Sequence, residues 1–323
     1  MIVTMGGGSG MPIVNQALVK AGFSDINSIV TTFDSGGDTG RIRTDERGLV
    51  LAFSDYWRSL MSLWNDGEQK KYWQEMLKYR DGRGRNFGNL FFQFMAERAG
   101  SLSKVDSLFS TLTQANLCGR VIPVALDPVD VCFATKSGKK YIGEHNMDDQ
   151  RMSLDMIDKV WLSTEIEANP EAIQVINKAD LIIICPGSLY GSVLTNFLPR
   201  GMRGVMEKTS AKKILFTNIM SVCNETNGFD QDNYVEIINK YIKVKFDEIV
   251  MSDFKSVNKK LLNNILESYA NEHSRPIKYH NKSISKTSII DLLAVDEVNL
   301  RLRHSVDKLA KYFAKMDYVA KEN

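Results

Sequence analysis

Four cysteines are all that 323 residues carry, and no two of them stand in a C-x-x-C pair. Cys118, Cys132, Cys185 and Cys223 sit mostly among apolar neighbours, so neither a disulfide framework nor a thiolate zinc site organises the chain, and reduced structural thiols are expected. The four histidines, His145, His273, His280 and His304, show no metal-ligand spacing. No apolar run approaches the ~20 residues that a membrane-crossing helix needs, and Met1-Ile2-Val3 reads as strand rather than as the start of a signal peptide. A cytoplasmic protein with no membrane span is expected. An excess of one charge is lacking as well. Forty-one basic against 39 acidic residues leave +2, which argues against a nucleic-acid partner and leaves only local basic pockets open. With 43% hydrophobic and 25% charged residues, the chain can bury a large core.

The most informative stretch is Ala179 to Asn196, ADLIIICPGSLYGSVLTN. The apolar run Leu181 to Cys185 ends at Pro186-Gly187, which reads as a strand buried on both faces and stopped by a turn. Gly187, Ser188 and Tyr190 then fall at the carboxyl edge of a parallel sheet, where such folds bind ligands. At the amino terminus a short strand runs into Gly6-Gly7-Gly8-Ser9-Gly10 and then a helix with Pro12 near its first turn. Gly7, Gly8, Ser9 and Gly10 offer bare backbone and a helix start to an anion, or simply a tight turn. The loop lacks the Gly-Lys-Ser/Thr of a Walker loop, and Met11-Pro12 breaks the dinucleotide fingerprint.

A second strand, Ile26 to Phe33, leads into Asp34-Ser35-Gly36-Gly37-Asp38-Thr39-Gly40-Arg41. Asp34 could hold a ribose hydroxyl, bind a metal or accept a proton, and Gly36, Gly37 and Arg41 suit a loop that wraps a charged ligand. Residues 45–116 then turn helical, an insert whose Trp57, Trp64, Trp73, Phe91, Phe92 and Phe94 are expected to fill its own core. Asn89, beside Gly88, is either a ligand contact or a cap. Val121–Val124, Val129–Phe133 and a return from Tyr141 read as a small β element. Strands then alternate with helices, so a mostly parallel sheet with helices on both faces is expected. Asn218 follows one more of those strands, and Arg303 precedes an amphipathic C-terminal helix in which Val306, Leu309, Ala310 and Phe313 share a face.

Taken in order, the glycine loop, the Asp34–Arg43 loop, Phe87-Gly88-Asn89-Leu90, Gly143-Glu144, Pro186-Gly187-Ser188-Leu189-Tyr190, Asn218-Ile219-Met220, Glu225-Thr226 with Gly228, and Arg303-His304 resemble the YvcK-type branch of the CofD-like proteins, along nearly the whole chain. The resemblance implies a three-layer Rossmann-like α/β fold in a single domain, and a nucleotide or nucleotide sugar of the uridine-diphosphate class as ligand. It implies phosphate on the glycine loop, Tyr190 and Arg303 on the nucleotide sugar, and Asn89, Ser188 and Asn218 lining the same cleft. Magnesium, with Asp34 as its ligand, belongs to the same expectation, although Ser35 stands where the family keeps a second aspartate. Two functions follow from it: a nucleotide-sugar-binding regulator of carbon metabolism, cell-wall growth and cell shape, or a transferase moving a phospholactyl group from a guanosine-diphosphate-linked donor to a deazaflavin precursor. An NAD-dependent dehydrogenase would rest on the glycine loop and Asp34 alone. Self-association, as a homo-oligomer, is left open.

Overall fold

The computed structural model describes residues 1–33, 35, 52–65, 67–280 and 285–316. The chain opens with β1 (Ile2–Gly6), α1 (Gly10–Lys20) and β2 (Ile26–Val30), then builds the insert from α2 (Ser54–Leu63), α3 (Glu68–Lys78), α4 (Phe87–Ala99) and α5 (Val105–Thr113). Next come β3 (Gly119–Pro123), β4 (Val131–Thr135), β5 (Lys140–Ile142), the short α6 (His145–Asp149) and β6 (Ile157–Leu162). Alternation resumes with α7 (Pro170–Lys178), β7 (Leu181–Ile184), α8 (Met202–Lys208), β8 (Lys212–Phe216), the short α9 (Cys223–Thr226) and α10 (Gln231–Tyr241). The described chain closes with β9 (Glu248–Ser252), α11 (Lys259–Ala270), β10 (Thr287–Ile290), β11 (Leu293–Asp296), β12 (Arg301–His304) and α12 (Val306–Ala314).

Seven strands form one sheet in the order β10-β9-β8-β7-β1-β2-β3, and every pairing in it is parallel. Along the central strands successive side chains point to opposite faces. Val3, Met5, Ile182 and Ile184 enter one core layer with α7, α8 and α10. Ile2, Leu181, Ile183 and Cys185 enter the other with α1, the insert and α12. This is why β7 reads as an unbroken apolar run, and the two layers make the fold the expected Rossmann-like α/β sandwich. One polar knot interrupts the second layer. Thr4 Oγ1 donates to Asn15 Oδ1 at 2.9 Å, Asn15 Nδ2 donates to Ser28 Oγ at 2.9 Å, and the Thr4 and Ser28 hydroxyls are 2.9 Å apart. The knot fixes the height of α1 on β1 and β2, because its members have no water to turn to.

Three details depart from the sequence reading. Val121 belongs to β3 at the edge of the main sheet, while the small antiparallel sheet is β5-β4-β6. Arg301–His304, ahead of the C-terminal helix, is regular structure too. It forms a strand paired with β11, its alternation burying Leu302 and His304 and leaving Arg303 exposed. Trp57, Trp64 and Phe92 do fill the core of the insert, but Phe94 points outward with 58% of its surface exposed. All four cysteines are buried and free. No helix among the described residues is long and apolar enough to cross a membrane.

Candidate functional site

Strand β1 lies between β2 and β7, and the chain leaves it in one direction while the strands from β7 onward run in the other. The carboxyl ends of β1 and β7 therefore flank the crevice where open α/β sheets bind ligands. The two loops that leave this point touch. A Cβ at Gly10 would lie 2.0 Å from the Pro186 carbonyl oxygen, and one at Gly7 would lie 2.3 Å from Asp55 Oδ2. Gly8 turns the chain with φ +64°, in the left-handed region where a side chain is costly. Ser9 stands at the N-cap of α1 but makes no capping hydrogen bond from its side chain, so the first-turn amides face the crevice without a side-chain cap.

The loop after β7 is held from behind. Asn218 Oδ1 accepts from the Gly187 amide at 2.9 Å and its Nδ2 donates to the Gly187 carbonyl at 2.8 Å. The buried Glu225 carboxylate accepts from Ser188 Oγ at 2.8 Å, Leu189 N at 2.7 Å and Tyr190 N at 3.3 Å. Burial outweighs these bonds and raises the carboxyl above its ordinary pKa. Ser188 Oγ in turn accepts from Gly191 N at 2.8 Å and caps the π-helical turn Leu189–Val193.

These loops bound a cleft of about 480 Å³, within the size range of small-molecule sites. Arg58, Arg151 and Arg303 line it together with Asp55, Glu144, Asp148 and Glu225, so a ligand meets both cations and acceptors. Thr31 also lines it, and its buried hydroxyl has no hydrogen-bond partner among the described residues. At the far end stand Tyr269, Leu302 and His304. Burial lowers the His304 pKa to about 4, so its ring is neutral near pH 7 and can donate with one nitrogen and accept with the other.

The family model described as 2-phospho-L-lactate transferase CofD matches residues 2–298. The chain belongs to the CofD family. A relative from Bacillus subtilis, named gluconeogenesis factor, is 29% identical over 320 residues, 96% of this chain and 95% of its own. One from Thermotoga maritima is 28% identical over 318 residues, 96% of each chain. In fold, a solved UPF0052-family protein from Bacillus halodurans superposes with a TM-score of 0.84 at 24% identity, covering 97% of this chain and 98% of that one.

Within this CofD-family fold, Gly8, Ser9, Gly10, Gly187, Ser188, Asn218 and Arg303 line one cleft, and Gly7 lies against Asp55 beside them. Asn89 is placed elsewhere. It is buried in the insert, its Oδ1 accepting from Trp57 Nε1 at 3.0 Å and its backbone amide capped by Asn86 at 3.0 Å. Tyr190 is also inside, with 1% of its surface exposed, because the turn directs its ring into the core layer under β7. Asp34, Gly36, Gly37 and Arg41 lie outside the described residues. Ser35 is described, and its hydroxyl accepts from His145 N and lies beside His145 Nδ1, both at 3.1 Å. The sequence reading did not single out Asp55, Arg58, Arg151 or Tyr269. For the first two a signal existed: Ser54-Asp55 opens the first described helix of the insert, and Arg58 lies three residues on, on the same face.

Proposed function

We propose that the cleft binds a nucleotide sugar of the uridine-diphosphate class, and that the protein acts through this binding as a regulator of carbon metabolism, cell-wall growth and cell shape, with no turnover required. The observation that carries the reading is the juxtaposition, at the β1/β7 crevice, of the uncapped first turn of α1 with Arg58, Arg151 and Arg303. A helix start carries roughly half a positive charge and its amides suit phosphate oxygens, while guanidinium groups pair with phosphate by two parallel hydrogen bonds. The acceptors Glu144 and Asp148 suit sugar hydroxyls, and Tyr269 with Leu302 offers an apolar wall to a flat ring. The name gluconeogenesis factor, carried by the Bacillus relative, supports the regulatory side.

Among the described residues no three His, Cys, Asp or Glu side chains gather as a metal cage, and Asp34, the expected magnesium ligand, lies outside the described residues. The second reading is phospholactyl transfer from a guanosine-diphosphate-linked donor, which draws on the description of the family model. Calorimetry with UDP-glucose and with GDP separates the two. The regulatory reading expects UDP-glucose to bind and Arg303→Ala to weaken it about 5- to 150-fold, for ~1–3 kcal/mol of lost guanidinium contact. Binding of GDP with none of UDP-glucose would favour the transferase.

A further inference from the structure

The insert carries a cavity of its own, which shares no residue with the cleft at the sheet edge. It has a volume of about 340 Å³ and is lined by Gln69, Tyr72 and Trp73 of α3 and by Leu112, Thr113 and Gln114 at the end of α5, the small end of the range for ligand sites. Gln69 lies three and four residues before Tyr72 and Trp73, so the helical repeat sets it beside both. Trp73 is a fixed wall, its ring packed against Phe91 and against Phe109 with centroids 5.6 Å apart in each case. Tyr72 is 70% exposed, a ring held out into water. The Thr113 hydroxyl donates to the Phe109 carbonyl at 2.8 Å and accepts from Ala115 N at 3.3 Å, which braces the turn that carries Gln114. That residue has φ +55°, the left-handed region where a helix end ordinarily places glycine. A glutamine kept in that conformation points to a use for its side chain.

The chemistry of this lining is narrow. Among the described residues no charged side chain lines the cavity, so an ionic ligand would give up water there without gaining a counter-charge. The side-chain amides of Gln69 and Gln114 have no hydrogen-bond partner among the described residues, and each offers two donors and an acceptor oxygen. Tyr72 and Trp73 are successive residues of a helix, so their rings form a corner rather than a parallel slot. A flat base fills a slot. A saturated sugar ring, with C–H groups on its faces and hydroxyls around its rim, fits two aromatic walls meeting at an angle with amides at their edge. We propose that this cavity of the insert binds a neutral sugar ring, its C–H face against the Tyr72–Trp73 corner and its hydroxyls bonded to Gln69 and Gln114. The site is separate from the cleft, and the proposal stands whether or not the cleft takes a nucleotide sugar.

Saturation-transfer NMR of the full chain, titrated with methyl β-D-glucopyranoside, tests this. The wild type is expected to bind the glucoside with a Kd on the order of 1 mM. Tyr72→Ala is expected to raise that Kd at least about tenfold and Gln114→Gly at least about fivefold. Both variants should keep the thermal midpoint within about 3 °C, because the Tyr72 ring is already largely in water and glycine suits the left-handed backbone at 114. Calorimetry with UDP-glucose should read the same for both variants as for the wild type, since neither residue lines the cleft. A wild type that shows no transfer to the glucoside up to about 50 mM overturns the proposal. So does a Tyr72→Ala or Gln114→Gly variant that binds the glucoside as tightly as the wild type, or a wild type that takes uridine or glucuronate at this cavity in preference to the glucoside.

Discussion

Replacing Glu225 by alanine removes one acceptor from three donors at once. Leu189 N and Tyr190 N are buried backbone amides that donate to the Glu225 carboxylate, and Ser188 Oγ points at the same carboxylate. Each stranded buried donor costs about 1–3 kcal/mol. Against this stands the relief of a buried carboxylate that its surroundings already disfavour, as the raised pKa shows. The balance is a loss of about 2–5 kcal/mol of stability, whereas Glu225→Gln keeps one acceptor oxygen and should lose about half of that. Urea unfolding of the three proteins measures the difference, and calorimetry with UDP-glucose measures the accompanying loss of affinity, expected to be at least about tenfold because the Ser188 wall loses its support. An alanine variant within about 0.5 kcal/mol of wild type, binding as tightly, would show that the loop stands without the carboxylate.

Three further outcomes are expected. Gly10→Ala forces a Cβ to 2.0 Å from the Pro186 carbonyl, so the two loops must part; stability should fall by about 1–3 kcal/mol and ligand affinity more steeply than in Gly22→Ala, where the added Cβ meets nothing within 4 Å, although its positive φ adds strain of its own. Burial pushes the Asp106 carboxyl, which accepts from Tyr56 OH and Val121 N, up to about 7. A folded pKa above the unfolded value of about 3.9 makes the contribution of this group complete below pH ~4 and lost as pH rises through about 7, so wild-type stability relative to Asp106→Asn should decline across that window, and equal slopes would refute it. Asn89→Ala should lower stability by about 1–2 kcal/mol, through the stranded Trp57 Nε1–H, and leave UDP-glucose affinity unchanged; a selective loss of binding would put Asn89 back at the ligand.

How much of this was legible in the sequence depended on the range of the interaction involved. The β1 and β7 units were readable because an apolar run, a turn and a helix start are local signals, and parallel strands send their carboxyl ends to one edge. Arg303 could be placed near the cleft only through the resemblance, since its strand pairs with β11 and the repeat Leu-Arg-Leu-Arg-His fits a strand or a helix lead-in equally well. Tyr190 is buried in the core layer on a turn after Ser188 that is π-helical, and no residue pattern announces such a turn. Asn89 misled for a different reason: the partner that claims it, Trp57, lies 32 residues earlier. Arg151, Tyr269 and His304 come from elements that meet only when the whole chain is folded.

The fixed peptide at Gly187 has a consequence for motion. Asn218 occupies both its amide and its carbonyl, Glu225 takes the amides of Leu189 and Tyr190, and Ser188 takes those of Gly191, Ser192 and Val193. This largely buried loop thus has most of its amides engaged, and its hydrogens should exchange with solvent on the timescale of sub-global opening rather than of loop fluctuation. The facing loop, Gly8 to Gly10, has no such bracing from its capping side chain. The cleft therefore has one stiff wall and one yielding wall, and a bound anion should slow exchange on the α1 side while leaving the Pro186–Val193 side almost as it was.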